Sequence, residues 1–110
     1  MTMSFASELR TSDETVVAGD AKLDGERITI RVQMPEVWDV VRIDVGVLAA
    51  VSVIKDAALR RLFPDFVSSA DFLLKLNGFE VLDESVGVAD AGARNGSTFL
   101  LTFRRRRPVR

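Results

Sequence analysis

The sequence predicts an α+β fold, in which a mixed sheet of about five strands carries one main helix on one face. Several short segments alternate apolar and polar residues with a period of two, which is typical of strands with one buried face. One segment, residues 52–63, instead repeats its apolar positions every three or four residues, as an amphipathic helix does. Because one helix cannot cover both faces of a sheet, the other face should remain open.

Two strands joined by a short turn begin the regular part of the chain. Residues 26–34 alternate strictly, and Pro35 ends the run because proline cannot donate to a ladder. Residues 37–45 repeat the alternation, and the short connection predicts an antiparallel hairpin. Trp38, the only tryptophan of the chain, falls on the same side of this second strand as Arg42. We therefore expect its indole to be exposed.

The predicted helix follows Gly46, where the period of two ends. Its apolar stripe consists of Val51, Ile54, Ala58 and Leu62. Ser52 is a suitable N-cap residue, and Pro64 lies just beyond the last turn. Arg60 and Arg61 fall in that turn, where cations complement the helix dipole.

The second half of the chain contains three further strand patterns. Residues 72–76 alternate, and Asn77-Gly78 then forms a strong turn signal because both residues tolerate positive φ. Residues 79–82 can pair back as a short fourth strand. Residues 83–96 are rich in turn residues, and residues 99–104 alternate as the last strand.

This order of elements is compact only if the first and last strands are central and parallel, which is a β-grasp arrangement. The domain is expected to span residues 26–104. Residues 1–25 are mixed and polar and are expected to form a flexible lead-in, with ordered structure at most near Thr15–Ala18. Residues 105–110 form a basic tail.

The composition argues against catalysis. The 110 residues include no cysteine, histidine or tyrosine, so the thiolate nucleophile and the commonest general base and metal ligand are missing. We expect no enzyme activity, no catalytic residue, no cofactor or metal site and no small-molecule substrate. The N-terminus lacks the pattern of a signal peptide and no window is apolar enough for a membrane span, so a cytoplasmic location is expected.

Local motifs of the second half resemble the ubiquitin-like family. They are the segment Leu74–Gly78, the loop Val88–Gly92 and the entry to the last strand, Gly96–Phe99. Gly92 and Gly96 supply turns that a Cβ would strain. Within the family the chain is most similar to the small bacterial YukD-like proteins of type VII secretion. That resemblance implies a bacterial accessory protein that binds other proteins.

The C-terminus departs from the family pattern. Modifiers and sulfur carriers of this family end in a diglycine, whereas the last glycine here is Gly96 and the sequence ends Arg107-Pro108-Val109-Arg110. The resemblance therefore implies a chain that is not conjugated. A modifier that acts through an altered or processed end is an alternative function.

The outer face of the predicted sheet is the expected binding surface for a protein partner. By alternation its members are Leu73, Lys75, Leu100 and Thr102. The two leucines lie on neighbouring strands and can form an apolar docking patch. Lys75 stands where the family has its central apolar contact, so proteins that bind ubiquitin itself are not expected to dock here.

Five arginines close the sequence. They are Arg104, Arg105, Arg106, Arg107 and Arg110. The less favoured function of this run is to bind the phosphates of nucleic acid or of anionic lipid. No aromatic residue interleaves with the arginines to stack on bases, and no apolar face accompanies them. The favoured interpretation is a solvated end that keeps the neighbouring strand from aggregating.

Overall fold

The computed structural model describes residues 15–20 and 22–104. The strands in chain order are β1 (Thr15–Val17), β2 (Arg27–Met34), β3 (Asp39–Gly46), β4 (Phe72–Leu76), β5 (Phe79–Glu80) and β6 (Thr98–Phe103), and the helix α1 is Val51–Leu62. Two short 3-10 turns, Pro35–Val37 and Ser69–Asp71, precede β3 and β4. The predicted α+β class and the main helix are confirmed.

The strands form one mixed sheet in the order β1-β3-β2-β6-β4-β5. The predicted first and last strands, β2 and β6, lie side by side and parallel, with Val32 opposite Phe99. The β2–β3 and β4–β6 pairs are antiparallel. This is the β-grasp arrangement that the order of elements predicts. The sheet has six strands where the sequence predicted about five.

The additional strand is β1, which pairs in parallel with the edge of β3. It lies where the sequence allowed ordered structure, near Thr15–Ala18. The pairing continues one residue further, since the Ala18 amide donates to the Asp44 carbonyl at 2.9 Å. Val16 points inward and packs against the core. One inward apolar side chain is too short a signal for a strand to be predicted from periodicity.

The β2–β3 hairpin turns through Pro35–Val37 and ends on Trp38 rather than carrying Trp38 within the strand. Trp38 has a left-handed backbone, with φ 57° and ψ 41°, and its amide donates to the Pro35 carbonyl at 3.0 Å. The expectation that the indole is exposed holds, because 93% of the residue is accessible. Its placement in the second strand was wrong, since β3 begins at Asp39.

Alternating side chains of the central strands fill the space beneath α1. The largest buried side chains include Ile30, Met34, Ile43, Ile54, Leu59, Phe72, Leu74, Phe99 and Leu101. Eight of the nine fall on positions that the two periodicities assign to the interior, and Leu59 lies beside the predicted helix stripe. The helix therefore covers one face of the sheet, and the opposite face is left for solvent.

The helix does not begin as predicted, because Ser52 is not its cap. The N-cap residue is Ala50, and no side chain accepts a bond there. Instead the Val51 and Ser52 amides donate to the carbonyls of Val86 and Glu84, both at 2.9 Å. The loop after β5 thus satisfies donors at the helix N-terminus. Because this cap is formed by backbone carbonyls of a loop distant in the sequence, no residue type near the helix N-terminus predicts it.

Lys55 ties the helix to the same loop. Its side chain is 3% exposed, and Nζ lies 3.1 and 3.0 Å from the two carboxylate oxygens of Glu84. A buried ammonium is tolerated only when a carboxylate and hydrogen bonds replace its water. The pair therefore fixes the loop that caps the helix.

The β4–β5 turn has the predicted form but the strand after it is shorter. Asn77 and Gly78 have φ values of 56° and 87°, as a type I′ hairpin turn requires. The strand ends at Glu80 instead of reaching Leu82. Leu82 is 85% exposed, so it offers no inward anchor for continued pairing.

Removal of Glu84 should destabilise the fold more than removal of its partner. Glu84→Ala leaves the Lys55 ammonium buried without its counter-ion and should lower the free energy of unfolding by about 2 kcal/mol. Lys55→Met removes the charge and keeps the apolar contact, and should cost less than about 1 kcal/mol. Denaturant titration of both variants measures the difference. Equal losses would contradict this account of the pair.

Trp38→Asn should stabilise the protein. Asparagine adopts the left-handed conformation more readily than tryptophan, and the exposed indole contributes no packing. We expect the free energy of unfolding to rise by roughly 0.5–1 kcal/mol. Leu48→Asn is the control, because Leu48 is 68% exposed but is not among the residues with positive φ. A loss of stability in Trp38→Asn alone would show that the indole supports the fold.

Candidate partner-binding surface

The structure brings the four predicted outer-face residues together on β4 and β6. Leu73 is directly opposite Thr102, and Lys75 is directly opposite Leu100. All four side chains are half-buried on the face that α1 does not cover. We call these four residues the outer-face patch. It is continuous because β4 and β6 are paired neighbours at this point.

A shallow groove of about 420 Å³ runs beside the patch. Its walls are Glu36, Leu73, Lys75, Thr102 and Phe103. Glu36 enters from the turn after β2, and its Oε2 accepts from the Phe103 amide at 3.4 Å. The groove therefore has an apolar floor, one cation and one carboxylate. This combination suits an extended peptide with both apolar and charged side chains.

Basic residues continue across the sheet from the patch. Arg31 and Arg42 are exposed and stand directly opposite each other on β2 and β3. Arg27 is engaged within the domain, since its Nε lies 3.0 Å from an Asp44 carboxylate oxygen. The outer face thus has an apolar centre with basic neighbours.

Arg104 is held by the domain, although the sequence grouped it with the basic tail. Its amide donates to the Asp71 carbonyl at 2.7 Å, and Nη1 lies 3.0 Å from Glu80 Oε2. Its Nε also donates to the Ala70 carbonyl at 3.2 Å. The guanidinium therefore clamps the start of β4 to β5. The other four arginines of the predicted tail lie outside the described residues.

Aromatic rings support the end of β6 from the opposite side of the sheet. Phe63, just after α1, meets Phe72 and Phe103 edge-on, with both ring centroids 5.7 Å away. Phe72 and Phe103 lie 4.9 Å apart and tilted. Such contacts hold β6 and β4 rigidly in register. The outer-face patch is consequently preformed.

The loop that caps α1 has one perturbed acid. Hydrogen bonds from the Ser85 hydroxyl and amide hold the pKa of Asp83 below its ordinary value. This carboxylate therefore stays ionised at any pH near neutral. It belongs to the turn that presents the Glu84 and Val86 carbonyls and lies away from the outer-face patch.

Within the described residues there is no group of three or more side chains of the kinds that hold a metal ion. Among the same residues, no helix has the length and hydropathy needed to cross a bilayer.

Comparison with known proteins identifies the fold. No family model matches the sequence, and no curated protein matches it either. Solved structures do match: the ubiquitin-like domain of an Arabidopsis thaliana protein superimposes with a TM-score of 0.62 at 15% identity, over 84% of this chain and 93% of that one. The C-terminal ubiquitin-like domain of mouse tubulin-specific chaperone e gives 0.64 at 16% identity, over 83% and 100%.

A third similar structure is the ubiquitin of Caldiarchaeum subterraneum, with a TM-score of 0.61 at 15% identity, over 73% of this chain and 96% of that one. At sequence identities this low, the similarity of these structures establishes the fold alone. The chain therefore has a ubiquitin-like fold.

Sequence reasoning missed two residues at the rim of the surface and the role of a third. Glu36 and Phe103 line the groove, and Arg104 clamps the neighbouring strands. The alternation of β6 placed Phe103 inward and could not show that it also reaches the rim at the strand end. Arg104 could not be distinguished in the sequence, because it is the first of four consecutive arginines and nothing in the run shows which of them contacts the domain.

Arg104→Ala should loosen the β4–β5 edge. It removes an ion pair and two backbone contacts, and should lower the free energy of unfolding by about 1 kcal/mol, since the pair is partly exposed. Arg106→Ala has the same chemistry two residues further on and should have no effect on unfolding. Thermal melts of the two variants provide the measurement. Equal melting temperatures would show that the clamp contributes nothing.

Proposed function

We propose that this ubiquitin-like domain is a non-enzymatic protein-interaction module and that the outer-face patch is its binding surface. The observation that carries the proposal is the register of β4 and β6. It places Leu73 and Leu100 diagonal to each other on the face that α1 does not cover, with Lys75 two residues after Leu73 and directly opposite Leu100. The face is preformed, because the aromatic cluster and the Arg104 clamp hold both strands.

The chemistry of the surface favours an acidic partner segment with apolar anchors. Two leucines and the groove beside them accept apolar side chains. Lys75, with Arg31 beyond it on β2, offers cations to carboxylates. Such charges steer the encounter, whereas the leucines supply the affinity.

The test places glutamates on the two half-buried leucines of the outer-face patch and, as a control, on the exposed Leu48. Leu73→Glu combined with Leu100→Glu should abolish capture of the partner from a lysate of the source cells, with a loss of at least about tenfold. Leu48→Glu places the same charge at the far end of the domain and should leave capture unchanged. Quantitative mass spectrometry of proteins bound to each immobilised variant measures the effect.

Both variants must first be shown to melt as the wild type does. A partner retained equally by all of them would rule out the outer-face patch. If Leu48→Glu lost the partner and the double variant retained it, the binding surface would lie at the opposite end of the domain.

The role in the cell is a finer part of the proposal. We infer a bacterial accessory protein of the cytoplasm, in keeping with the resemblance to YukD-like proteins of type VII secretion. The genes that flank this one provide the direct check. Secretion components nearby would support the inference, whereas activating and conjugating enzymes would contradict it.

A protein modifier is the second candidate, and the likeness to an archaeal ubiquitin is what favours it. The two functions differ in covalent chemistry. Mass spectrometry of lysates from cells that express the tagged chain distinguishes them. A lysine-linked adduct would establish a modifier and overturn the pure interaction module.

A further inference from the structure

A second groove opens at the β5 edge of the sheet, on the side that α1 covers. Its volume is about 410 Å³. Phe79 is directly opposite Leu76, which belongs to the core, so the two side chains lie on the same face of the sheet. We call this opening the β5 groove and define it by the residues of its floor and rim, which are Leu76, Phe79, Val81, Leu82, Asp83 and Val86.

The floor of the β5 groove is an uncovered part of the hydrophobic core. Leu76 is buried, and Val81 and Val86 are half-buried and pack against the core. At the rim, Phe79 is 77% exposed and Leu82 is 85% exposed. Large apolar side chains that stay in water beside an apolar groove are characteristic of a binding surface. The folded domain therefore offers a place for an apolar side chain of another molecule.

The groove is preformed, because hydrogen bonds fix both of its walls. On one side, the Val81 amide donates to the Leu74 carbonyl at 2.9 Å and continues the pairing of β5 with β4. On the other side, the Val51 amide of α1 donates to the Val86 carbonyl at 2.9 Å and holds the loop against the helix. A ligand would therefore not have to order the walls, which keeps the entropic cost of binding low.

The segment that forms the groove is acidic. Residues 76–93 contain four carboxylates and no lysine or arginine. Cations from other parts of the domain pair with two of the four, since Arg104 contacts Glu80 and Lys55 contacts Glu84. The other two carboxylates keep their charge without such a partner.

These two carboxylates are Asp83 and Asp90, which are exposed and form no ion pair with any described residue. Asp83 is at the rim, and hydrogen bonds from Ser85 keep its pKa below the ordinary value, so it is ionised at neutral pH. Asp90 adjoins Ala91, another residue of the groove wall. Among the described residues that line the groove there is no lysine or arginine. The rim therefore attracts cations.

The groove at the opposite edge of the sheet differs in charge. It lies between β1 and α1, has a volume of about 470 Å³, and is lined by Arg60 and Arg61 with one acid, Asp56. A cationic ligand therefore discriminates between the two edges of the sheet.

We propose that the β5 groove binds a basic segment of a partner protein, with an apolar side chain of that segment on the floor and its lysine or arginine side chains against the rim. The floor requires an apolar anchor and the rim requires cations, and a polypeptide supplies both. Nucleic acids and anionic lipids are less suitable, because the rim repels phosphates. The proposal goes beyond the function of the outer-face patch, which favours an acidic partner.

Two synthetic peptides of equal length are the probes. They have leucine and phenylalanine at the same positions and carry either lysine or glutamine at all the others. Fluorescence anisotropy of the labelled peptides measures their dissociation constants with the full-length protein. We expect the lysine peptide to bind about tenfold more tightly than the glutamine peptide at low salt, and the difference to shrink as salt is raised.

Paired substitutions of Leu82 isolate the charge of the rim. Leu82→Lys and Leu82→Glu remove the same exposed side chain and differ only in the charge that replaces it. The lysine peptide should bind Leu82→Glu about tenfold more tightly than Leu82→Lys. Val17→Lys and Val17→Glu are the matched controls, because Val17 is exposed on β1 at the opposite edge of the sheet. These two variants should bind the peptide equally.

Phe79→Ser tests the apolar part of the rim. It removes an exposed ring and should weaken binding of the lysine peptide about fivefold. Thermal melts first establish that each variant is folded. The Leu82 pair tests the proposal even if Phe79→Ser does not fold.

The proposal is overturned if the glutamine peptide binds as tightly as the lysine peptide, or if the two Leu82 variants bind the lysine peptide equally. It is also overturned if the wild type self-associates in analytical ultracentrifugation and Phe79→Ser, although folded, does not, because a second copy would then occupy the groove. The Leu73→Glu, Leu100→Glu double variant should bind the lysine peptide at least as tightly as the wild type does. Weaker binding there would place the peptide on the outer-face patch and overturn the proposal, so failure at the two surfaces is distinguishable.

Discussion

The parallel pairing of β2 with β6 is the contact on which the rest of the structure depends. These strands begin and end the β-grasp core, so every element between them must lie on one side of the pair or the other. Their inward side chains, such as Val32 and Phe99, are fully buried against α1. Parallel strands are stable only when such burial compensates for the long crossover between them. One helix provides the cover, and the outer face is left open.

Two features of the structure follow from this pairing. The alternation of β6 that sends Leu101 inward sends Leu100 and Thr102 outward, next to Lys75 and Leu73. The parallel direction brings the turn of Trp38 to the end at which the chain leaves β6. The side-chain period of a strand therefore sets the outer-face patch, whereas strand direction sets which segments meet at one end of the sheet.

The sequence predicts which side of the sheet a residue faces, but it does not predict the geometry of the strand ends, for a physical reason. Periodicity reports which face a residue occupies, and the four residues of the outer-face patch were obtained from it alone. It carries little information about strand ends, where register and turn geometry decide the position. The left-handed backbone of Trp38 depends on the turn at Pro35–Val37, and the use of Arg104 depends on Glu80 and the Ala70 carbonyl across the sheet. The backbone cap of α1, which replaced Ser52, is likewise a long-range contact.

The short strand β1 forms although its sequence gives only a weak strand pattern. Three residues pair with β3, and one of them, Val16, packs inward. Arg27 strengthens the junction, since its Nη2 donates to the carbonyls of Asp44 and Ala18 at 3.0 and 3.4 Å. At the other edge β5 has only two residues, and Arg104 fastens it through Glu80. Both edges of the sheet are thus short and tied down by arginine, which limits edge-to-edge pairing with other chains. Recognition by an added strand is correspondingly disfavoured.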